Sequence, residues 1–249
     1  MNKTFITILI SFAFNLGVRA AETFTRLEVE AGLITTKNIE IRGFQQQNAT
    51  ASWRKSAATW RLEYWRVNQD GWNFGAIYQP LGLNYSDIIS NDLNAKGKSF
   101  LKRAPATLEY QFPTFRFSAN YPIFKNTQGD YIRLGASALT RYAKVKLMSL
   151  GTGFSDTNFI AIPVANLELR KGLGYSWSLF SRADFLPGIQ GSVFLDGLFD
   201  VFTGFRKELT AGKHLDMGIR SFFGGYDPDK RDDYANRIFF NSAVVRFAW

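Results

Sequence analysis

The chain contains no cysteine and a single histidine in 249 residues. Disulfides, zinc–thiolate centres, thiol nucleophiles and multi-histidine metal sites are therefore excluded. Beyond residue 22 no segment approaches the roughly 18 uninterrupted apolar residues that a transmembrane helix needs. What the chain does have is aromatic residues, 24 Phe, 10 Tyr and 6 Trp, in a composition that is 46% hydrophobic. Polar residues are interspersed among them almost everywhere, a mixture that fits neither disorder nor a helical membrane protein. Lys and Arg outnumber Asp and Glu by 30 to 21, a formal charge of +9.

The N-terminus has a different character. Lys3 precedes an apolar stretch from Phe5 to Val18, interrupted only by Thr7, Ser11, Asn15 and Gly17, and Ala20-Ala21 follows. This is the pattern of a secretory signal peptide cut after Ala20. An N-terminal anchor is the alternative, but about 14 apolar-rich residues fall short of roughly 30 Å of hydrocarbon. The expected organisation is a leader over residues 1–20 and one domain over residues 21–249.

From residue 22 onward the dominant signal is alternation, which puts apolar and polar side chains on opposite faces of strands. Leu27, Val29, Ala31 and Leu33 alternate with Arg26, Glu28 and Glu30, and Ala58, Trp60, Leu62 and Tyr64 alternate with Thr59, Arg61 and Glu63. Trp72, Phe74, Ala76 and Tyr78 follow the turn Asn68-Gln69-Asp70-Gly71. Leu108, Tyr110 and Phe112 lead into Phe115, Phe117, Ala119 and Tyr121, and the change of parity at Pro113 predicts a bulge in one long strand.

A soluble β-sandwich or a lipocalin-like barrel would bury the apolar face. Against both stand strands of roughly 11 to 20 residues, about twice the usual length or more. A barrel crossing a membrane uses roughly 9–11 residues per tilted strand, apolar toward lipid and polar toward the lumen, with an aromatic girdle at each interface. Trp60, Tyr64, Trp72, Tyr78, Tyr121, Tyr131, Tyr175 and Trp177 fall near the expected strand ends and suit those girdles. The sequence thus predicts an all-β fold, a transmembrane antiparallel up-and-down β-barrel. Its strands are expected at 23–34, 55–67, 71–82, 104–124, 131–147, 158–171, 175–186, 191–206, 213–224 and 235–249. Long connections at 35–54, 83–103, 148–157 and 225–234 alternate with short turns, as external loops alternate with periplasmic turns in bacterial barrels. Ten strands result, with twelve as the alternative.

The chain stops at Ala243-Val244-Val245-Arg246-Phe247-Ala248-Trp249, with Ala243, Val245, Phe247 and Trp249 on one face. This resembles the terminal strand of Gram-negative outer-membrane β-barrels, including small porin-like ones, whose closing aromatic is read by the barrel-assembly machinery. Most members end in Phe, where this chain has Trp249. The resemblance implies an outer-membrane location and makes Val245, Phe247 and Trp249 an assembly signal. It also implies outer-membrane lipid and lipopolysaccharide as surroundings.

With the apolar face outward, Arg26, Arg61, Arg116, Arg133, Arg141, Arg170, Arg182, Arg220 and Arg246 point inward. So do Glu28, Glu30, Glu63, Glu109, Glu168, Asp184, Asp196, Asp200 and Asp216. An interior balanced in this way can brace a narrow barrel through cross-strand ion pairs, or line a narrow channel whose arginines set ion preference. Lys37, Arg42, Arg54, Lys55, Lys96, Lys98, Lys102 and Arg103 concentrate in the first two long loops, where they would meet lipopolysaccharide phosphates. Basic residues scattered over the loops of an exported chain make no nucleic-acid face.

No cofactor or metal is expected. The acidic loop at 227–233 lacks the EF-hand spacing and carries Lys230 and Arg231, as a solvated turn does. His214 and Asp216, two apart beside Asp196 and Asp200, are similar to the Asp–His arrangement of the ten-stranded omptin proteases. His214 directly follows a short inner turn, however, whereas omptins work at the external rim. An ion pair between Asp216 and Arg220 is the expected use of that carboxylate, and no Gly-x-Ser-x-Gly nucleophile motif occurs. The sequence reads as non-enzymatic, either a porin-like channel or structural barrel, or a closed scaffold acting through basic outer loops.

Overall fold

The computed structural model describes residues 24–43, 51–52, 56–68, 70–186, 197–210, 212–226 and 234–249. The expected leader, Asp196 and the acidic loop at 227–233 lie outside them. The described elements are all strands: β1 (Phe24–Gly43), β2 (Ala51–Ser52), β3 (Ser56–Val67), β4 (Asn73–Gln79), β5 (Gly82–Ile88), β6 (Leu93–Ala95), β7 (Lys98–Phe100) and β8 (Pro105–Gln111). They continue as β9 (Thr114–Lys125), β10 (Tyr131–Ser149), β11 (Thr152–Gly174), β12 (Trp177–Leu186), β13 (Leu198–Thr210), β14 (Lys213–Tyr226) and β15 (Tyr234–Ala248).

Ten antiparallel strands close a ring in the order β1, β3, β4, β9, β10, β11, β12, β13, β14, β15 and back to β1. The twelve-strand alternative is thereby set aside. Closure removes the unpaired edges that lipid could not satisfy. Leu62, Phe74, Phe117, Leu134, Leu169, Leu179, Phe205, Met217, Ile219 and Val245 are exposed on the outer wall. On β10 the outward apolar residues run from Ile132 to Tyr142, ten steps that rise about 25 Å when tilted by about 40°. That is the height of an outer-membrane barrel's lipid-facing band. Trp72 packs on Tyr121 at 5.3 Å at one rim, and Trp60 on Tyr78 at 5.6 Å at the other.

Phe24 and Trp249 lie at the same end as the short turns after β3, β9, β11 and β13, which marks that end as periplasmic. At the opposite end the strands outrun the band. The hairpin β10–β11 stays paired to Ser149↔Thr152 and turns through Leu150-Gly151 alone, so the loop expected at 148–157 is strand. Likewise β1 reaches Gly43 rather than 34, and β4 continues past Pro80 and Leu81 into β5.

The expected bulge at Pro113 is absent. Gln79↔Thr114 and Gly82↔Gln111 belong to one unbroken register, as do Arg141↔Thr114 and Lys144↔Gln111. The strand assignment lapses only where Pro80 and Pro113, neither of which carries a backbone donor, face each other. The polarity inverts instead. Below this level Phe115 and Phe117 look outward and Thr114, Arg116 and Ser118 inward. Above it Leu108 and Tyr110 are buried inside, and Glu109, expected inward, lies outside with Lys144 at 3.7 Å.

The inverted extensions form a head. One wall holds β5, β8 and the upper halves of β10 and β11, and the other holds the upper halves of β14, β15 and β1. Leu83, Tyr85, Leu108, Tyr110, Val145 and Leu147 from the first share one apolar core with Ile34, Ile41, Phe222, Ile238 and Phe240 from the second. The short hairpin β6–β7 closes it with Leu93, Ala95 and Phe100. Two three-residue strands are not stable alone, so burial in this core holds them. The lower level of the molecule is built as a membrane barrel and the upper level like a soluble sandwich, with the same long strands running through both.

Candidate functional site

The candidate site is the bore. Alternation on each wall strand projects every second side chain inward, and in the membrane-level half many of these are charged and within reach of partners across the ring, among neutral polar residues such as Asn120 and Asn166 and a small apolar cluster of Leu139, Ile162, Val164 and Leu198. Asp200 on β13 accepts from Arg61 (3.1 Å), Arg116 (2.9 Å) and Arg220 (2.7 Å), which come from three other strands. Arg220 also grips Glu30 at 2.6 Å, and Arg116 also meets Asp184. Asp184 takes further hydrogen bonds from Ser137 (3.1 Å) and Asn166 (2.8 Å).

A second tier lies nearer the periplasm. Arg182 bridges Glu63 and Glu168 at 2.5 and 2.8 Å, while Arg246 bridges Glu28 and Asp216 at 3.2 and 2.5 Å. Arg61 links the tiers through Glu63 at 2.8 Å. Arg206 forms a two-point pair with Asp216 at 2.8 and 3.0 Å. Phe180 and Phe202 fill the space between guanidinium planes, with Arg206 stacked 3.9 Å over Phe180 and Arg246 4.7 Å over Phe202. Trp65 lies flat across Gly75, where a Cβ would come within 2.6 Å of its ring, and donates to Glu63 at 2.8 Å.

Thus Arg26, Glu28, Arg61, Glu63, Arg182, Asp200, Asp216, Arg220 and Arg246 are buried in one connected network. Arg133 sits at its periplasmic margin, 2.9 Å from Glu168. Arg141 lies at the top of the membrane-level bore, level with Thr114, with its guanidinium 4.5 Å over the Phe112 ring. Asp216 does not pair with Arg220, as expected from sequence, because Arg206 and Arg246 occupy it. His214 Nε2 stands 3.9 Å from Asp216, whose oxygens those arginines hold, so no Asp–His catalytic couple is assembled. Among the described residues no group of His, Asp and Glu is arranged to hold a metal.

Sequence reasoning missed Arg206, although it shares the parity of Asp200 on β13, and it missed Trp65, which shares that of Arg61 and Glu63. Tyr131, taken for a girdle residue, points inward and donates to Glu168 at 2.8 Å. Above the network the bore is occupied by the apolar core of the head, so a charged layer and an apolar layer lie in series.

At the periplasmic turn level, Asp130 accepts from Lys171 Nζ (2.6 Å), the Gly172 N–H (2.7 Å) and Asn126 Nδ2 (2.9 Å). These donors, Lys171 foremost, hold its carboxyl down at about 2.

No family model and no curated protein matches the sequence. Among solved structures, the translocator domain of autotransporter NalP from Neisseria meningitidis is similar at 12% identity over 97% of this chain and 94% of its own, with a TM-score of 0.48. Neisserial surface protein A matches at 15% identity over 91% and 98%, TM-score 0.38. The Pseudomonas putida toluene transporter TodX matches at 12% over 92% and 90%, TM-score 0.34. The closed ten-strand wall, with its apolar outer band and charged interior, has the architecture of an outer-membrane β-barrel.

Proposed function

We propose that the chain is a closed, non-enzymatic barrel that works as a membrane-anchored scaffold and presents its head at the cell surface. The observation that carries this reading is the doubly filled bore. A ten-stranded barrel is only slightly wider than the eight-stranded kind that side chains fill. Here guanidinium–carboxylate pairs fill the lower half, and Tyr85, Tyr110, Phe112, Phe222 and Phe240 fill the upper. In this reading residues 1–20 serve export and are removed, and the strand ending in Phe247 and Trp249 serves assembly.

The basic residues Lys98, Lys102 and Arg103 of the external connection are exposed and suit lipopolysaccharide phosphates. Replacing all three with Gln should weaken lipopolysaccharide binding, and unchanged binding would remove that contact. The channel reading requires a water path through both layers. Mature protein refolded in a planar bilayer should be electrically silent although folded. Steady unitary conductance that changes its selectivity on Arg220→Glu would replace the scaffold with a channel.

A further inference from the structure

Below the charged layer the bore widens into a pocket of about 300 Å³ that opens to the periplasm. Its charged lining is unequal: Arg26, Lys125, Arg133, Arg170 and Arg206 against the one carboxylate of Glu208, with neutral ring walls from Phe24 and Tyr131. The acids that balance three of these arginines sit deeper. Glu28, Glu168 and Asp216 are wholly buried, whereas the side chains of Arg133 and Arg170 remain 14% and 26% exposed. Seen from the periplasm, the pocket therefore shows cations in front of a buried layer of anions. Arg133 meets Glu168 through Nη1 at 2.9 Å, and Arg170 meets Glu208 through Nη2 at 3.1 Å. Among the described residues, no carboxylate engages the other terminal nitrogen of either guanidinium fork. Lys125, at the end of β9, is exposed at the rim.

We propose that this pocket binds a small multivalent oxyanion of the phosphate class from the periplasmic side. Guanidinium forks match the oxygen geometry of phosphate, and a partly enclosed pocket strengthens the attraction over that in open water. The ordered network behind the arginines fixes them before any ligand arrives, which lowers the entropic cost of binding. The pocket's being dead-ended rests on the closed-bore reading, but its lining does not. The phosphate could be free in the periplasm or belong to a headgroup of the inner leaflet.

Titration calorimetry of the refolded full barrel in chloride buffer tests this with two probes, inorganic pyrophosphate and dihexanoyl phosphatidic acid. At least one should bind with saturation. Lys125→Gln, at an exposed rim position, should weaken it, and Glu208→Gln should tighten it, each by roughly five- to tenfold, the scale of about 1 kcal/mol. Binding of pyrophosphate alone assigns a soluble ligand, and binding of the lipid alone assigns a headgroup. A loss of structure cannot produce the Glu208→Gln gain. Absence of binding by both probes, or binding that ignores or is weakened by both substitutions, overturns the proposal. Conductance, measured separately, reports on the closed bore, so failure of either idea is recognisable on its own.

Discussion

Asp200 is the residue on which the interior depends most. It holds Arg61, Arg116 and Arg220 together, and all four side chains are almost wholly buried. Removing one partner from a buried ionic cluster leaves charges without compensation, at about 3–5 kcal/mol. Asp200→Asn should therefore destabilise the barrel by that amount in urea unfolding from lipid vesicles, and a loss below about 1 kcal/mol would mean that water already screens the site. Leu150 makes the opposite case. It turns the β10–β11 hairpin with φ at 48°, 69% exposed, in a region where branched side chains crowd the backbone. Asn tolerates that conformation, so Leu150→Asn should raise stability by roughly 1 kcal/mol in the same assay. An unchanged or lower stability would show that Leu150 makes contacts that offset its strain.

At the scale of elements, the strands were legible in sequence and the direction of their faces was not. Alternation reports that a strand has two faces, and it carries no sign for which of them is inside. In the band, Phe115, Phe117 and Leu134 point to lipid as the pattern implies, because lipid and lumen differ most there. Above it, three neighbouring strands shift parity at one height: Phe74, Ala76 and Tyr78 give way to Leu81 and Leu83, Phe117 and Phe115 to Phe112 and Tyr110, Ala136 and Ala138 to Ala143 and Val145. A single shift looks like a bulge. Three at one level, in an unbroken register, mark the membrane boundary, beyond which water replaces lipid outside and the apolar face turns in. The cross-strand partners of Asp216 were illegible for a different reason. Parity shows that Arg206, Arg220 and Arg246 all face the bore, and only register and side-chain reach select the pairs that form.

The turn after β9 carries a prediction of its own. Asp130 is held at about 2 by Lys171, Gly172 and Asn126, below the ordinary value of an unfolded aspartate near 3.9. Because the folded value is the lower one, the clasp stabilises the protein above that ordinary value and loses its effect as pH falls toward 2. Wild type should be more stable than Asp130→Asn at pH 6, and the difference should vanish between about pH 4 and pH 2. A difference that persists unchanged to pH 2 would assign the clasp to hydrogen bonding that does not need the charge.

In the whole molecule one set of strands serves two solvents, with a charge-lined barrel at the lipid level and an apolar-cored head above it. The absence of native cysteine makes single labels unambiguous. The most direct measurement is nitroxide accessibility, to oxygen and to a water-soluble nickel chelate, for Leu134→Cys, Lys146→Cys and Val145→Cys in reconstituted vesicles. Leu134 should be reached by oxygen from lipid, Lys146 by the chelate from water, and Val145, next to it but facing inward, by neither. Chelate access at position 145 would mean a water-filled bore, and oxygen-dominated access at position 146 would mean that the head lies in the membrane. Either result would contradict the account.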